Sequence, residues 1–230
     1  MKKQGNNLFK GARARYTVIT MIIIGLGNPG TEYEGTRHNA GREAVMKFAQ
    51  KLEFGEFKAD KKSQALVATG RAGKGKATLV LPETFMNKSG VSAGKLVKGP
   101  KKVKDASGKA MKAFPDLIVV HDDLDIPLGK AKMSWDKSAG GHKGVQSVIK
   151  AIGTQGFFRI RIGIVPPKAN GQPKKLDHDS IVENFIVADF KPKEADELKK
   201  VIKKVVSCLE LAVSDSPERA MSEYNAEFNK

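Results

Sequence analysis

An apolar strand that runs directly into a glycine-rich turn is the feature that most constrains how this chain folds. Residues 21–24 read Met-Ile-Ile-Ile, and Gly-Leu-Gly-Asn-Pro-Gly follows at residues 25–30. Glycine permits tight turns and a close approach of the backbone to a ligand. Polar residues then follow before any helical periodicity begins, among them Asn28, Tyr33 and His38. We therefore expect a buried strand whose end forms one edge of an active site.

The hydrophobic periodicity of the remaining chain alternates between strands and helices. Apolar or alternating segments predict strands at residues 22–25, 65–69, 78–81, 117–120, 132–135 and 159–165. Helical spacing follows Gly41, Asn87 and Gly144, and it continues through residues 198–209 and again after Ser216. This alternation predicts an α/β protein, a single-domain α/β/α sandwich around a twisted mixed, largely parallel sheet.

Three segments do not fit a compact core. Residues 1–20 form a basic N-terminal extension with no acidic residue, which predicts a disordered arm that contacts RNA, an organelle-targeting segment or an appended remnant. The main domain then spans residues 21–230. Within it, residues 95–112 contain seven lysines and Asp105 alone among acidic residues, and residues 168–180 are polar with glycine and proline. Both are predicted to be insertions into the domain.

The charge and cysteine content narrow the class of protein. The chain has 41 Lys and Arg against 25 Asp and Glu, a net charge of +16, which favours a polyanionic partner such as nucleic acid over a surface of merely solvated lysines. Cys208 is the one cysteine, so a disulfide framework and a cysteine-based metal site are excluded, and a reducing compartment is expected. No apolar run approaches the ~20 residues of a membrane span, and no secretory signal is recognisable, so a secreted protein is not expected.

Two glycine-rich segments resemble nucleotide-binding motifs. Residues 25–30 match the spacing GxGxxG, but helical periodicity begins only after Gly41, whereas a dinucleotide-binding helix starts within the glycine loop. Residues 70–77 nearly match a phosphate loop, but Ala77 replaces the hydroxyl residue that would hold Mg²⁺. A nucleotide-binding enzyme is therefore the weaker alternative, and a basic hairpin turn is expected at residues 70–77.

Five motifs, taken together, resemble the bacterial-type peptidyl-tRNA hydrolase family. They are GLGNPGxxYxxTRHNxG at residues 25–41, PxTFMNxSG at 82–90, HDDLDxPxG at 121–129, GGHxG at 140–144 and FxRIRIGI at 157–164. The motifs occur in the family's order, and the resemblance covers roughly residues 22–229. It implies hydrolysis of the ester between peptide and tRNA in peptidyl-tRNA, without metal or cofactor.

The resemblance also implies roles for individual residues. His38 is the general base that activates water, and Asp122 orients and stabilises its imidazole. Asn28 and Asn87 hold the substrate, Asn28 where a blocked peptide amide is recognised and Asn87 beside the ester and the tRNA 3′ end. The residues expected to contact the bound end of tRNA are Tyr33, Phe85, Met86, Asn87, His142 and Lys143. Lysines of the 95–112 insertion are a further candidate for tRNA contact, against the alternative of a solvated loop.

One residue departs from the family pattern. The family usually has asparagine directly after the histidine of GGHNG, and this chain has Lys143. Lysine is cationic and accepts no hydrogen bond, so it is expected either to bind a phosphate or to position the reacting water less well. The alternative function is therefore a non-catalytic RNA-binding relative of the same fold.

The remaining expectations concern partners and location. The resemblance implies a monomer without an obligate protein partner, which contacts the acceptor end and the backbone phosphates of peptidyl-tRNA. Its expected location is the cytoplasm, or the mitochondrial matrix if residues 1–20 are a targeting segment.

Overall fold

The computed structural model describes residues 20–105, 107–174, 176 and 179–228. The interpretation of the basic N-terminal extension falls on residues 1–19, which lie outside the described part. The described residues form eight strands: β1 Thr20–Gly25, β2 Lys58–Asp60, β3 Ala65–Ala72, β4 Gly75–Pro82, β5 Lys101–Lys104, β6 Ala110–Pro127, β7 Ala131–Trp135 and β8 Phe157–Val165. They also form six α-helices: α1 Ala40–Lys51, α2 Gly90–Leu96, α3 Lys143–Ile152, α4 Asp179–Val187, α5 Pro192–Ser214 and α6 Pro217–Phe228.

The sheet is mixed, and its centre is parallel. The strand order is β2-β3-β4-β1-β6-β8-β7, and β5 pairs with β6 off this path. The pairs β4–β1, β1–β6 and β6–β8 are parallel, whereas the outer strands and β5 are antiparallel. The predicted α/β class with a mixed, largely parallel sheet is confirmed.

Helices cover both faces of this sheet, which buries the central strands on two sides. One apolar cluster joins α1 and α5 to the sheet through residues such as Phe48, Val205 and Leu209. The other cluster joins α2 and α3 to the opposite face through residues such as Ala93 and Val148. Burial on both faces explains why β1 and β6 have continuous apolar sequences instead of an alternating pattern.

The two nucleotide-like motifs have ordinary structural roles. Residues 70–77 form the antiparallel turn between β3 and β4, where Ala72 pairs with Gly75, so the hairpin prediction is confirmed and no phosphate loop is formed there. After β1, the chain makes two 3₁₀ turns before α1 begins at Ala40. The N-terminus of α1 therefore does not follow the glycine loop as it does in a dinucleotide-binding unit.

The two predicted insertions have different local structures. Within the lysine-rich segment, β5 pairs with the beginning of β6 as a hairpin. β6 is longer than its apolar centre predicts, and its pairing with β8 shifts register between Phe114 and Ile118, around Pro115. Proline lacks the donor that a ladder needs and is tolerated at such irregularities. The second segment leads into α4, a helix that we did not predict.

Candidate active site

The predicted site residues lie at the carboxyl ends of the central parallel strands. Gly25 at the end of β1 pairs with Val120 of β6, and Asp122 follows two residues further along β6. Ligands of open α/β sheets bind beyond these strand ends. The motifs from four separate parts of the sequence therefore meet at one edge of the sheet.

His38 and Asp122 form the centre of the site. His38 lies in a 3₁₀ turn, Arg37–Asn39, immediately before α1. Its Nδ1 atom lies 3.0 Å from each carboxylate oxygen of Asp122. A Cβ atom on Gly41 would overlap the Val120 carbonyl, so only glycine lets α1 approach β6 this closely. The close approach brings the histidine turn against the strand that carries Asp122.

His142 supplies a second donor to Asp122 and also caps α3. Its Nδ1 atom accepts hydrogen bonds from the backbone N–H groups of Gly144 and Val145, each at 3.2 Å. A neutral imidazole that accepts at Nδ1 carries its proton on Nε2. The Nε2–H group then donates to Asp122 Oδ1 at 2.9 Å. Helix capping therefore fixes the tautomer of His142 and directs its proton to the carboxylate.

With both histidines donating, Asp122 acts only as an acceptor. His38 Nδ1 carries the proton shared with the carboxylate, and its Nε2 lone pair is left to accept a proton from water. The same hydrogen bonds bear on metal binding, because His38, Asp122 and His142 place their ligand atoms within 4.8 Å of one another. Ligation through His142 Nε2 would require protonation of the Nδ1 atom that caps α3. This arrangement favours proton transfer over metal coordination.

The electrostatics of the pair favour a charged carboxylate beside a titratable imidazole. Burial disfavours the imidazolium, but the charge and hydrogen bond of Asp122 outweigh burial and raise the pKa of His38, which the Lys143 charge partly opposes. Burial likewise disfavours the Asp122 carboxylate, yet His38 and His142 hold its pKa below the ordinary value. A general base should titrate near the working pH, and imidazole is the side chain whose ordinary pKa lies nearest to that range.

Asn28 is held by a set of hydrogen bonds that use its backbone and its side-chain oxygen. Its backbone N–H donates to Asn39 Oδ1 at 2.8 Å, and Asn39 Nδ2 donates to the Asn28 carbonyl at 3.0 Å. The Asn28 side-chain oxygen accepts from the Met86 backbone N–H at 2.8 Å. Because the side-chain oxygen of Asn28 is engaged by the Met86 backbone, the Nδ2 group is the part of the amide left for a ligand.

The segment at residues 85–87 forms the outer wall of the site. Phe85 is 59% exposed and contacts Tyr33 edge to face, with ring centroids 6.4 Å apart. Met86 is buried against α3, where a Cβ atom on Gly144 would overlap its sulfur. Asn87 is exposed in the following 3₁₀ turn. The structure thus brings together the aromatic and amide residues that the sequence predicted for this wall.

Lys143 occupies the first turn of α3, next to the histidine pair. Its Nζ atom forms a 2.7 Å ion pair with Glu183 Oε1 on α4. Its charge also acts on His38, whose pKa it lowers. The residue therefore contributes to the electrostatics of the site while it connects α3 to α4.

Arg37 and Asn39 have structural roles in the site that we did not predict. The buried Arg37 guanidinium donates to the carbonyls of Ala188 and Asp189 and pairs with Glu194 at 2.6 Å. Both residues flank His38 in sequence, and Arg37 holds the histidine turn against the segment after α4 while Asn39 holds the Asn28 loop. Their place within the TRHN motif was the available signal, but their partners are distant in sequence.

His121 lies behind the site and packs against His142. It is buried, and its Nδ1 atom donates to the Asp122 carbonyl at 2.6 Å. Burial, followed by the charges of His142 and Arg159, holds the pKa of His121 well below its ordinary value. The neutral ring packs edge to face with His142, at 4.7 Å between centroids, and supports it from behind. Among the described residues, no helix combines the length and the apolar sequence that crossing a membrane requires.

A buried histidine–aspartate pair beside fixed amide donors is the equipment of an enzyme that activates water for hydrolysis. Comparison with known proteins agrees, since a family model described as peptidyl-tRNA hydrolase matches residues 22–230. The peptidyl-tRNA hydrolase of Aquifex aeolicus is 39% identical over 206 residues, covering 89% of this chain and 95% of that protein. The Brevibacillus brevis protein of the same name is 42% identical over 168 residues, covering 73% and 80%. The chain belongs to the peptidyl-tRNA hydrolase family.

Solved structures support the same assignment. The crystal structure of peptidyl-tRNA hydrolase from Acinetobacter baumannii matches with a TM-score of 0.74 at 28% identity. The match covers 93% of this chain and 98% of that one. The arrangement of strands and helices described above is therefore that of the family over nearly its full length.

Proposed function

We propose that this protein hydrolyses the ester between peptide and tRNA in peptidyl-tRNA, with His38 as the general base. The observation that carries the proposal is the hydrogen bonding of Asp122, which accepts from His38 Nδ1 and from His142 Nε2. This bonding leaves His38 Nε2 as the basic atom. Membership of the peptidyl-tRNA hydrolase family supplies the substrate class.

The reaction follows from the proton positions. Water gives a proton to His38 Nε2 as its oxygen attacks the ester carbonyl, and Asp122 stabilises the imidazolium that forms. The tetrahedral intermediate carries a negative oxygen, toward which the amide donors of Asn28 and Asn87 are directed in this proposal. Its collapse breaks the bond to the ribose oxygen, which takes the proton from His38 and leaves as the hydroxyl of free tRNA. The peptide leaves as a carboxylic acid.

The wall residues bind the end of the tRNA in this proposal. Tyr33 and Phe85 present aromatic surface on which an unpaired terminal base can stack, and Met86 supports this wall from behind. Lys143 lies at the N-terminus of α3, where its cation and the positive end of the helix dipole attract a phosphate. On substrate binding, Lys143 exchanges Glu183 for that phosphate.

The remaining partner assignments follow from this substrate. Backbone phosphates of the tRNA are the polyanion that the net charge of +16 favours as a partner. Phosphate contacts give affinity without reading sequence. We infer a monomer that works without cofactor, metal or obligate protein partner. The substrate places it where translation occurs, in the cytoplasm, or in the mitochondrial matrix if residues 1–20 are a targeting segment.

The competing function is a non-catalytic RNA-binding relative, which Lys143 in the place of asparagine favours. Release of tRNA from an N-acetylated aminoacyl-tRNA, beside the unblocked aminoacyl-tRNA, distinguishes the two. We expect the wild type to cleave only the blocked substrate, and His38→Ala to lower kcat/KM by about 10²–10⁴-fold with tRNA affinity retained. Tight binding of tRNA without cleavage by the wild type would establish the relative instead.

A further inference from the structure

The hairpin of β5 and β6 presents an unusual concentration of positive charge on one face. Lys102 pairs directly with Lys112 across the two strands, and Lys104 lies two residues from Lys102 on the same face. All three side chains are exposed. Like charges placed directly opposite each other destabilise a hairpin. Within the free protein, this pair of lysines opposes folding.

The carboxylates of this region are already engaged with other groups. The only acidic residues between positions 95 and 116 are Asp105 and Asp116. Asp116 pairs with Lys101 at 2.6 Å, on the other face of the hairpin. Asp105 accepts from the backbone N–H groups of Ser107 and Lys109, each at 2.9 Å, and so holds the hairpin turn. The charges of Lys102, Lys104 and Lys112 are thus not neutralised by these two carboxylates.

The helix α3 connects this face to the active site. α3 begins at Lys143, beside His38, and ends at Ile152, about 14 Å further along its axis. Lys150 is exposed on its last turn. The Lys112 ammonium lies beside Gly153, directly after the helix. Exposed lysines therefore lie at both ends of α3, and the lysines of the hairpin extend this positive charge further from the site.

We propose that the hairpin face of Lys102, Lys104 and Lys112 is an RNA-binding surface that contacts backbone phosphates of the substrate tRNA in its double-helical part. Phe114 and Asp122 of β6 pair with Phe157 and Ile162 of β8, which are five residues apart, and Lys112 lies two residues before Phe114, so Lys112 is about 23 Å from Asp122 along the sheet. A surface at this distance from the ester contacts RNA away from the cleaved end, toward the double-helical part. The proposal rests on the proposed function, because it takes peptidyl-tRNA as the bound RNA.

Charge geometry favours RNA over an acidic protein. Lys102 and Lys104 are about 7 Å apart along the strand, and Lys112 widens this row on the neighbouring strand. The hairpin face offers exposed cations in a row, which suits a backbone of repeated negative charge. Binding of phosphates also offsets the repulsion between Lys102 and Lys112, which gives that otherwise unfavourable pairing a function.

The test compares the triple variant K102Q/K104Q/K112Q with a matched control, K199Q/K200Q/K203Q, which removes the same charge from α5 on the opposite side of the sheet. The substrates are N-acetylated aminoacyl-tRNA and the same ester on a CCA trinucleotide. We expect the hairpin variant to lose at least about tenfold in kcat/KM on the tRNA, and nothing on the trinucleotide. The control should match the wild type on both substrates.

Salt dependence of tRNA affinity provides the second readout. Loss of three phosphate contacts lowers the slope of log affinity against log salt by about 2.7, so a rise from 50 to 200 mM salt should weaken the wild type about 40-fold more than the variant. Equal slopes, or equal kcat/KM on both substrates, would overturn the proposal. If the slope is unchanged and an acidic protein binds the wild type but not the variant, the surface belongs to that protein instead.

Two controls keep the result interpretable. K102E removes the like-charge pair, so it should fold at least as stably as the wild type while it weakens tRNA binding. If the wild type cleaves neither substrate, the proposed hydrolysis fails, and tRNA affinity and its salt slope still test the hairpin. If both substrates are cleaved and the variant equals the wild type, only the hairpin proposal fails.

Discussion

Lys143 and Glu183 form an ion pair of 2.7 Å that joins the first turn of α3 to α4 beside His38. Both side chains are largely exposed, so the pair itself contributes little to stability. Its effect on His38 matters more, because the Lys143 charge lowers the pKa that Asp122 raises. An uncharged side chain at this position could not do this.

Removal of the Lys143 charge should shift the pH dependence of hydrolysis. The base must be neutral, so kcat/KM rises with pH through the pKa of His38 in the free enzyme. Lys143→Gln should move this rise to higher pH, and Glu183→Gln, which leaves the cation without its counter-charge, to lower pH. We expect plateau values within about tenfold of the wild type, since the pair is exposed. pH profiles of kcat/KM at low and high salt measure both shifts.

Salt provides the control for this prediction. Charges near the surface are screened when the Debye length falls from ~10 Å at 0.1 M to ~3 Å at 1 M salt. The difference between the two variants should therefore shrink at high salt. Identical profiles for both variants at low salt would show that Lys143 does not act on His38 through its charge.

Asp122→Asn should change rate and stability in different pH ranges. Without the carboxylate, burial and Lys143 lower the pKa of His38, so the rise of kcat/KM moves to lower pH while the plateau falls about 10²–10⁴-fold. For stability, the raised pKa of His38 means that its contribution is complete below about pH 6.5 and is lost as pH rises through the folded pKa. The lowered pKa of Asp122 adds stability that is present above about pH 4 and is lost in acid.

The pair therefore stabilises the fold most between about pH 4 and pH 6.5. Urea unfolding of wild type and Asp122→Asn at pH 5.5 and pH 8.5 measures this difference. We expect the wild type to exceed the variant in free energy of unfolding by more at pH 5.5. A difference that grows toward pH 8.5 would contradict the assigned direction of the His38 pKa.

The sequence predicted the site better than it predicted what surrounds the site. His38, Asn28 and Asp122 lie in short motifs at the ends of apolar strands, and parallel strands place such ends at one edge of a sheet. The local motifs and the topology of the sheet therefore predicted the same location for the site. The helix α4 was missed because it has only nine residues, and its apolar residues, among them Ile181 and Phe185, directly follow a polar segment.

Hydrogen bonds between distant residues were beyond such reasoning. Arg37 contacts a segment about 150 positions away, and no periodicity or composition relates the two. The hairpin of β5 was missed for another reason. Lys101, Lys102 and Lys104 have little β-propensity, and the strand exists because β6 continues past Pro115 and offers a partner.

His142 should show separable effects on stability and rate. His142→Ala removes the cap of α3, which costs about 0.5–2 kcal/mol, and also removes the second donor to Asp122. His142→Asn restores a good cap but is too short to retain the imidazole donor. We expect both variants to lose about 10–100-fold in kcat, the effect of one hydrogen bond to a charged group, and the alanine variant to lose more stability than the asparagine variant.

Thermal unfolding and single-turnover kinetics measure these two effects. Equal losses of stability in the two variants would mean that the capping bonds of His142 contribute nothing. An unchanged kcat in His142→Asn would mean that Asp122 orients His38 without help from the second histidine.

Buried contacts of Arg37 hold the turn that carries His38. Its guanidinium lies between two aromatic rings, 4.4 Å from the centroid of Phe185 and 5.0 Å from that of Phe190. It also neutralises Glu194, and the two side chains are only 5% and 16% exposed. Removal of one partner of such a pair leaves a buried charge and unpaired carbonyl groups. Arg37→Leu should therefore destabilise the protein by about 3–5 kcal/mol.

The matched control is Arg219→Leu, whose ion pairs with Asp215 and Glu223 are exposed on α6 and should matter little. Arg37→Lys keeps the charge but loses the planar arrangement of donors, so an intermediate loss is expected. Urea unfolding compares the three variants. Since His38 directly follows Arg37, kcat should fall with Arg37→Leu even where the variant is fully folded. Equal stabilities of Arg37→Leu and Arg219→Leu would refute a structural role for this contact, because burial is the property that separates the two arginines.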